Sequence, residues 1–301
     1  MDRAVTEAGT RSGFVALAGR PNVGKSTLVN ALVGAKVAIV SDKPQTTRRA
    51  IRGVATGPDW QLVLVDLPGV QRPRDTLTER MQGSVERELA GSDAALVVLN
   101  GEQGVGPGDR FIAASLSAAQ VPKLIAVNKI DRLDRARTAA ALQAAADMLP
   151  GADVFPVSAL RGTGLGPLRE HLIGLLPAGP FYFPSEEHSD QAEHVVLAEL
   201  VREQVLRRTR QEVPHSVEVQ IDEIDRGRDD LTAVKAFVWV ETESQKGILI
   251  GARGSMIKSV GTAARSELER VLGTPVHLEL AVRVRRRWRT DESLLDRLGI
   301  E

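Results

Sequence analysis

The sequence predicts an α/β domain built on a mostly parallel sheet with helices on both faces, followed by a smaller α+β unit. Three observations carry that prediction. From residue 14 to residue 176 short apolar runs alternate with amphipathic stretches, the rhythm of strand–helix units whose strands are covered on both sides. Within that region, Gly19-Arg20-Pro21-Asn22-Val23-Gly24-Lys25-Ser26 matches G-x-x-x-x-G-K-[ST] between an apolar run and a helical stretch, where a phosphate-binding loop has to lie. Beyond Pro180 the rhythm changes to an α-β-β-α-α-β order. A chain of 301 residues is long enough for two such cores.

Residues 14–18 read as the first buried strand and 26–33 as the first helix. Residues 34–49 are polar and turn-rich and read as a mobile loop. Strands are expected at 50–56 and 61–66, joined by Gly57-Pro58-Asp59. A second loop, 67–75, leads into a helix over 77–89. Strands at 94–99, 123–127 and 153–157 then alternate with helices at 109–119, 136–149 and 165–176. The Pro- and Gly-rich stretch and the acidic run over 178–190 read as a linker. Next come a helix over 191–210, strands over 216–222 and 232–242, a short helix over 247–250, a longer one over 255–272, and a strand over 276–285. Residues 290–301 read as a tail with a short closing helix. The expected domains are therefore 12–177 and 191–289.

Composition narrows the classes. There is no cysteine, which excludes disulfide frameworks and thiolate metal sites and fits a reducing cytoplasm. Residues 1–11 carry no apolar leader segment, and no run is long enough to span a bilayer. The five histidines (171, 188, 194, 215 and 277) lack metal-ligand spacing and receive no chemistry. The net charge of +0 conceals an asymmetry. Residues 246–289 hold ten Lys/Arg against three Asp/Glu, and residues 185–230 hold six against thirteen. A basic block inside a neutral chain points to a polyanionic partner.

The phosphate loop has a definite chemistry. Its two glycines let successive N–H groups converge on phosphate oxygens beside a helix N-terminus. Lys25 reaches the β- and γ-phosphates, the Ser26 hydroxyl ligates Mg2+, and Thr27 continues the nucleotide-binding set. Four further motifs fall at strand ends, where ligands bind in open α/β sheets. Asp66-Leu67-Pro68-Gly69 supplies an aspartate for Mg2+ and a Gly69 N–H for the γ-phosphate. Asn128-Lys129-Ile130-Asp131 supplies a carboxylate that accepts from guanine N1–H and its amine; adenine would leave a buried Asp131 unpaired. The Lys129 stem covers the base, and a backbone N–H from Ser158 or Ala159 meets the guanine carbonyl. Thr46 or Thr47 offers a hydroxyl to Mg2+.

In this order the motifs resemble the translation-factor-related class of GTP-binding switch domains over residues 12–177. That resemblance implies GTP and GDP as ligands and GTP hydrolysis as the reaction. Ras-like switches carry a glutamine after the second-switch glycine, whereas this chain has Val70, which cannot orient water. Slow intrinsic hydrolysis is therefore expected, about 10⁻⁴ to 10⁻² s⁻¹. Related GTPases with Gly-x-Pro-Asn-x-Gly-Lys-Ser loops use the asparagine to hold K+, which would make Asn22 catalytic together with Lys25, Thr47 and Gly69. Loop capping by its amide is the other reading of Asn22.

Ile248-Leu249-Ile250-Gly251-Ala252-Arg253-Gly254-Ser255-Met256-Ile257-Lys258 carries G-x-x-G between helices. In its α-β-β-α-α-β setting this resembles a type II KH domain, whose groove accepts about four unpaired nucleotides. Lys246, Gly251, Ala252, Arg253, Gly254 and Lys258 are the expected RNA contacts, with Ile248, Ile250 and Ile257 assigned to the core. Arg285, Arg286 and Arg287 extend the basic face, with Trp288 available for stacking. One switch domain joined to such a KH domain, with Gln45-Thr46-Thr47-Arg48 in the first switch loop, is similar to the bacterial Era family. Leu67 departs from that family's Asp-Thr-Pro-Gly. The resemblance implies binding of the 3′ end of 16S rRNA, assistance to maturation of the small (30S) ribosomal subunit, and peripheral membrane association; a monomer is expected. Other readings are a signalling switch with a protein or membrane partner, and a small-molecule kinase or ATPase.

Overall fold

A computed structural model describes residues 9–43, 45–69, 73–117, 120–209, 213–228 and 230–300. Its contacts divide the chain into two compact units, the first comprising the described residues up to Ala38, within Thr47–Pro73 and within Arg80–Asp190. The second comprises those of Ile39–Thr46, Arg74–Glu79 and the chain from Gln191.

The first unit is the expected α/β layer structure. Its sheet has the order β2 (Ile51–Thr56), β3 (Trp60–Asp66), β1 (Arg11–Ala18), β4 (Ala94–Asn100), β5 (Lys123–Asn128), β6 (Asp153–Pro156), and only the β2–β3 pairing is antiparallel. The central strand β4 is buried at every position, which is why it reads as an unbroken apolar run. One face packs against Leu28, Val29 and Leu32 of α1 (Lys25–Val33) and Leu168 and Leu172 of α5 (Leu165–Leu175). The other packs against Ile112, Ala113 and Leu116 of α3 (Pro107–Ser117) and Ala145 of α4 (Arg135–Met148). The parallel register sets Leu17 beside Asp66, so β1 and β3 end together and deliver their following loops to one place. The helix α2 (Thr76–Ala90) follows β3.

Residues 178–190 are bound to this unit rather than being a free linker. Ala178 bridges to Arg11, and Val54 N donates to His188 O at 2.9 Å. The cause is Gln61, fully buried on β3, whose carboxamide is satisfied by the Tyr182 N–H, the Phe183 N–H and the Phe183 carbonyl. Unpaired there it would cost about 1–3 kcal/mol.

The second unit has a three-stranded sheet in the order β7 (Glu218–Arg228), β8 (Leu231–Val240), β9 (Val276–Val284), antiparallel then parallel. On it pack α6 (Glu193–Arg208) and α9 (Ser255–Leu272), through Leu197, Val201 and Val205 against Val260, Ala264 and Leu268. Short helices α7 (Val213–Ser216), α8 (Glu243–Ile250) and α10 (Glu292–Arg297) complete it. The helix expected over 247–250 starts earlier, because Thr242 and Gln245 form a reciprocal capping box. The strand expected over 216–222 runs on through Gly227 as β7. The expected helix ends at residues 119 and 210 lie outside the described residues. Among the described residues no helix is long and apolar enough to cross a membrane.

Trp288 corrects a sequence expectation. It is fully buried and its Nε1 donates to Ser216 O at 2.7 Å, so it is a core anchor and not a stacking platform. The tail joins that core through Leu294, Leu295, Leu298 and Ile300. Trp288→Ala should therefore lower the stability of the second unit by about 3–5 kcal/mol. Denaturant unfolding checks this, and an unchanged midpoint would show that the side chain is not a structural anchor.

Candidate nucleotide site and nucleic-acid groove

The phosphate loop joins β1 to α1. Gly24 sits at φ 102, and a Cβ there would come within 2.4 Å of Asn128 Nδ2, so both conformation and space require glycine. No side chain caps α1, and its first-turn N–H groups face the loop, ready for an anion. Lys25 Nζ lies within the loop, donating to the carbonyls of Gly19 at 3.0 Å and Arg20 at 3.3 Å. Burial lowers its pKa from the usual lysine value, against the upward pull of Asp66. A phosphate would supply the missing counter-charge. The Arg20 side chain turns away to Asp109 at 2.8 Å, bracing the loop against α3.

Three oxygen-bearing side chains from three elements converge. Ser26 Oγ lies 3.1 Å from Thr47 Oγ1 and donates to Asp66 Oδ2 at 2.5 Å, and Thr47 Oγ1 donates to the same oxygen at 3.2 Å. Asp66 is fully buried, and its Oδ1 has no hydrogen-bond partner. Burial raises its pKa above the carboxylate norm, although Lys25, Ser26 and Thr47 oppose the shift. Hard oxygen donors around an orphaned carboxylate oxygen fit Mg2+. Of the two candidate threonines Thr47 joins this cluster, whereas the Thr46 hydroxyl donates to Lys43 O at 2.7 Å. Leu67 is fully buried with Ala16, Val65 and Val85, so the unusual residue in the second switch motif is a packing residue. Gly69 follows Pro68 and lies so close to Pro21 that a Cβ would meet its Cγ at 2.9 Å. Val70 lies outside the described residues.

At the base end Asn128 is a staple. Its Nδ2 donates to Val23 O at 2.9 Å, and its Oδ1 accepts from Lys129 N at 2.8 Å and Ala159 N at 3.0 Å. It therefore ties the phosphate loop to both base-side loops. The Ala159 N–H is thereby engaged, and the Ser158 N–H donates to Thr163 O at 2.9 Å; neither is left for the guanine carbonyl as expected. Asp131 is exposed, not buried, and the Ser158 hydroxyl holds it at 2.5 Å. Desolvation of Asp131 must come from the base itself. Lys129 sits at φ 66 and spans to Asn22 O at 2.7 Å, and Asn22 is also left-handed, at φ 64, with its side chain exposed.

In the second unit Gly251 and Gly254 have φ 72 and φ 78, and Arg253 between them is left-handed at φ 51. A Cβ on Gly251 would meet Met256 at 2.8 Å, whereas Gly254 faces open space where a nucleic-acid backbone can approach. Ala252, Arg253 and Lys258 are exposed and Lys246 is half-buried. Ile248 is 49% exposed, not core. Ile257 lines a groove of about 390 Å³ between α9 and β9, with Lys258, Gly261, Thr262, Arg265 and Leu278. The spacing of residues 258, 261, 262 and 265 is that of one helix face, a signal legible in the sequence, yet of the four only Lys258 is among the expected RNA contacts. His277 also lines the groove, although no histidine was expected at a site. Arg286 and Arg287 are exposed, but Arg285 is paired with Asp291 at 2.7 Å.

A phosphate loop, an oxygen cluster suited to Mg2+ and a guanine-type Asn-Lys-x-Asp loop on this sheet define a P-loop GTPase, here joined to a KH unit. Family models described as 50S ribosome-binding GTPase and KH domain match residues 14–129 and 212–289. GTPase Era of Mycobacterium tuberculosis (strain ATCC 25618 / H37Rv) is 47% identical over 96% of this chain and 98% of its own. The corresponding protein of Mycobacterium sp. (strain KMS) is 45% identical over the same shares. Two solved structures superpose with a TM-score of 0.93 at 34% identity, covering 97% of this chain and 99% of theirs. One is Era with MgGDPNP and nucleotides 1506–1542 of 16S ribosomal RNA; the other is a singly substituted Aquifex aeolicus Era bound to GDP.AlF4-. The chain belongs to the Era family of GTPases.

Replacing Asn128 by alanine should weaken GDP and GTP binding alike, by about tenfold or more, since the Val23 carbonyl and two N–H groups lose their partner. Calorimetric titration with both nucleotides measures this. Unaltered affinities would show that the staple does not shape the pocket.

Proposed function

We propose that this GTPase binds the single-stranded 3′ end of 16S rRNA through its KH groove and assists maturation of the 30S subunit, with the bound guanine nucleotide as the timer. The groove between α9 and β9, with a glycine loop open at Gly254 and cations at Arg253, Lys258 and Arg265, is the observation that supports an RNA ligand most directly. The related Era crystallised with nucleotides 1506–1542 of 16S ribosomal RNA makes that RNA the first candidate.

In the reaction, water attacks the γ-phosphorus and the bond to the β–γ bridging oxygen breaks. Lys25, released from the Gly19 and Arg20 carbonyls, places its charge on the β- and γ-phosphates. Ser26 and Thr47 orient their hydroxyl oxygens, and Asp66 holds the carboxylate, where Mg2+ would sit. Held by these residues, Mg2+ would supply positive charge to offset the charge that develops on the phosphates. The Gly69 N–H would donate to the γ-phosphate. Asp131 reads guanine, and Ser158 fixes its orientation. We include K+ beside Asn22 as a source of the charge that an arginine finger provides elsewhere.

Two measurements test these assignments. Arg253→Glu with Lys258→Glu should abolish binding of a 16S 3′-end oligonucleotide while GTP hydrolysis stays within about twofold. Retained RNA affinity would point instead to a protein partner for this unit. Hydrolysis should run severalfold faster in KCl than in NaCl of equal strength, and equal rates would remove K+ from the mechanism.

A further inference from the structure

A buried ionic cluster on α6 serves neither the nucleotide site nor the RNA groove described above. Arg202, Glu203 and Glu218 are fully buried and Glu199 is nearly so. Arg202 pairs with Glu199 at 2.6 Å and approaches Glu218 at 3.7 Å. Burial opposes its charge, and the carboxylates outweigh that effect and raise its pKa above the ordinary value. Buried ionic clusters gain little stability over a packed apolar set. Here Arg202 Nη2 also donates to the carbonyl of Thr46, and Glu203 Oε1 accepts from the Val40 N–H at 3.1 Å. Ile39, at 3% exposure, belongs to the same apolar cluster as Leu197, Leu200 and Val201 of α6. The segment Ile39–Thr46 is thus held at both ends within the second unit.

The next residue in the chain is Thr47, whose hydroxyl joins Ser26 and Asp66. One peptide bond, about 3.8 Å between Cα atoms, joins the residue with the clamped carbonyl to Thr47. We propose that the Glu199–Arg202–Glu203–Glu218 cluster is a clamp on the first switch loop that presents Thr47 to Mg2+, making Arg202 a positioning residue for GTP binding and hydrolysis. This rests on the assignment of Thr47 as a Mg2+ ligand.

The test uses the full chain in three forms: unmodified, Thr47→Ala, and a neutral clamp variant combining Arg202→Met, Glu199→Gln and Glu218→Gln, which leaves no unpaired charge. Binding of a non-hydrolysable GTP analogue and of GDP is titrated against Mg2+. In the clamp variant the Mg2+ concentration for half-maximal analogue binding should rise about tenfold, with GDP affinity within about twofold. An unmoved Mg2+ midpoint there, beside a shifted one in Thr47→Ala, would overturn the clamp alone. No shift in Thr47→Ala would overturn the ligand assignment and the clamp with it. In the unmodified chain the Val40 amide should exchange with solvent about tenfold more slowly, or slower still, with the analogue than with GDP. Equal exchange would overturn the clamp even if the variant failed to fold.

Discussion

The carboxylate of Asp66 is the constraint from which the nucleotide site follows. Parallel pairing with β1 sets it beside Leu17, fully buried, with one oxygen lacking a partner. An ionised carboxylate in that setting costs several kcal/mol unless a cation or donors compensate. Ser26 and Thr47 supply donors to one oxygen only. The other oxygen has no partner, which is what the proposed Mg2+ would supply, and Thr47, which joins Asp66, belongs to the first unit. Burial shifts Lys25 and Asp66 each toward its neutral form, and a Mg2+-nucleotide would restore both charges.

Much of this was legible because the chemistry is local in sequence. The phosphate loop, Asp66-Leu67-Pro68-Gly69 and Asn128-Lys129-Ile130-Asp131 are each a few consecutive residues at a strand end, and apolar rhythm alone places the strands. What escaped depends on contacts between distant residues. Nothing near Asn128 announces that its side chain bonds Val23, 105 positions away. Likewise the linker-like 178–190 stretch is fixed by Gln61. The exposure of Asp131 could not be read from a motif that says which atoms it presents but not how deep they lie.

The second unit shows the same division. G-x-x-G and the element order identified the KH unit, and the structure separates its glycines by role, Gly251 for packing and Gly254 for access. Trp288 among arginines suggested an exposed aromatic, whereas it fills the core, because composition does not reveal which face a residue takes. The acidic balance over 185–230 is not all at the surface. In the fold Glu199, Glu203 and Glu218 are buried in α6 and β7. That charge asymmetry is therefore partly internal, and the basic surface around Arg253 and Lys258 keeps its pull on a polyanion.

The proposed timing requires the nucleotide state of the first unit to alter RNA capture by the second. The most direct measurement is the affinity of the intact protein for a 16S 3′-end oligonucleotide in Mg2+, with GDP and with a non-hydrolysable GTP analogue. Unequal affinities are predicted, by about fivefold or more if the coupling is of ordinary allosteric size. Equal affinities in the two nucleotide states would contradict it.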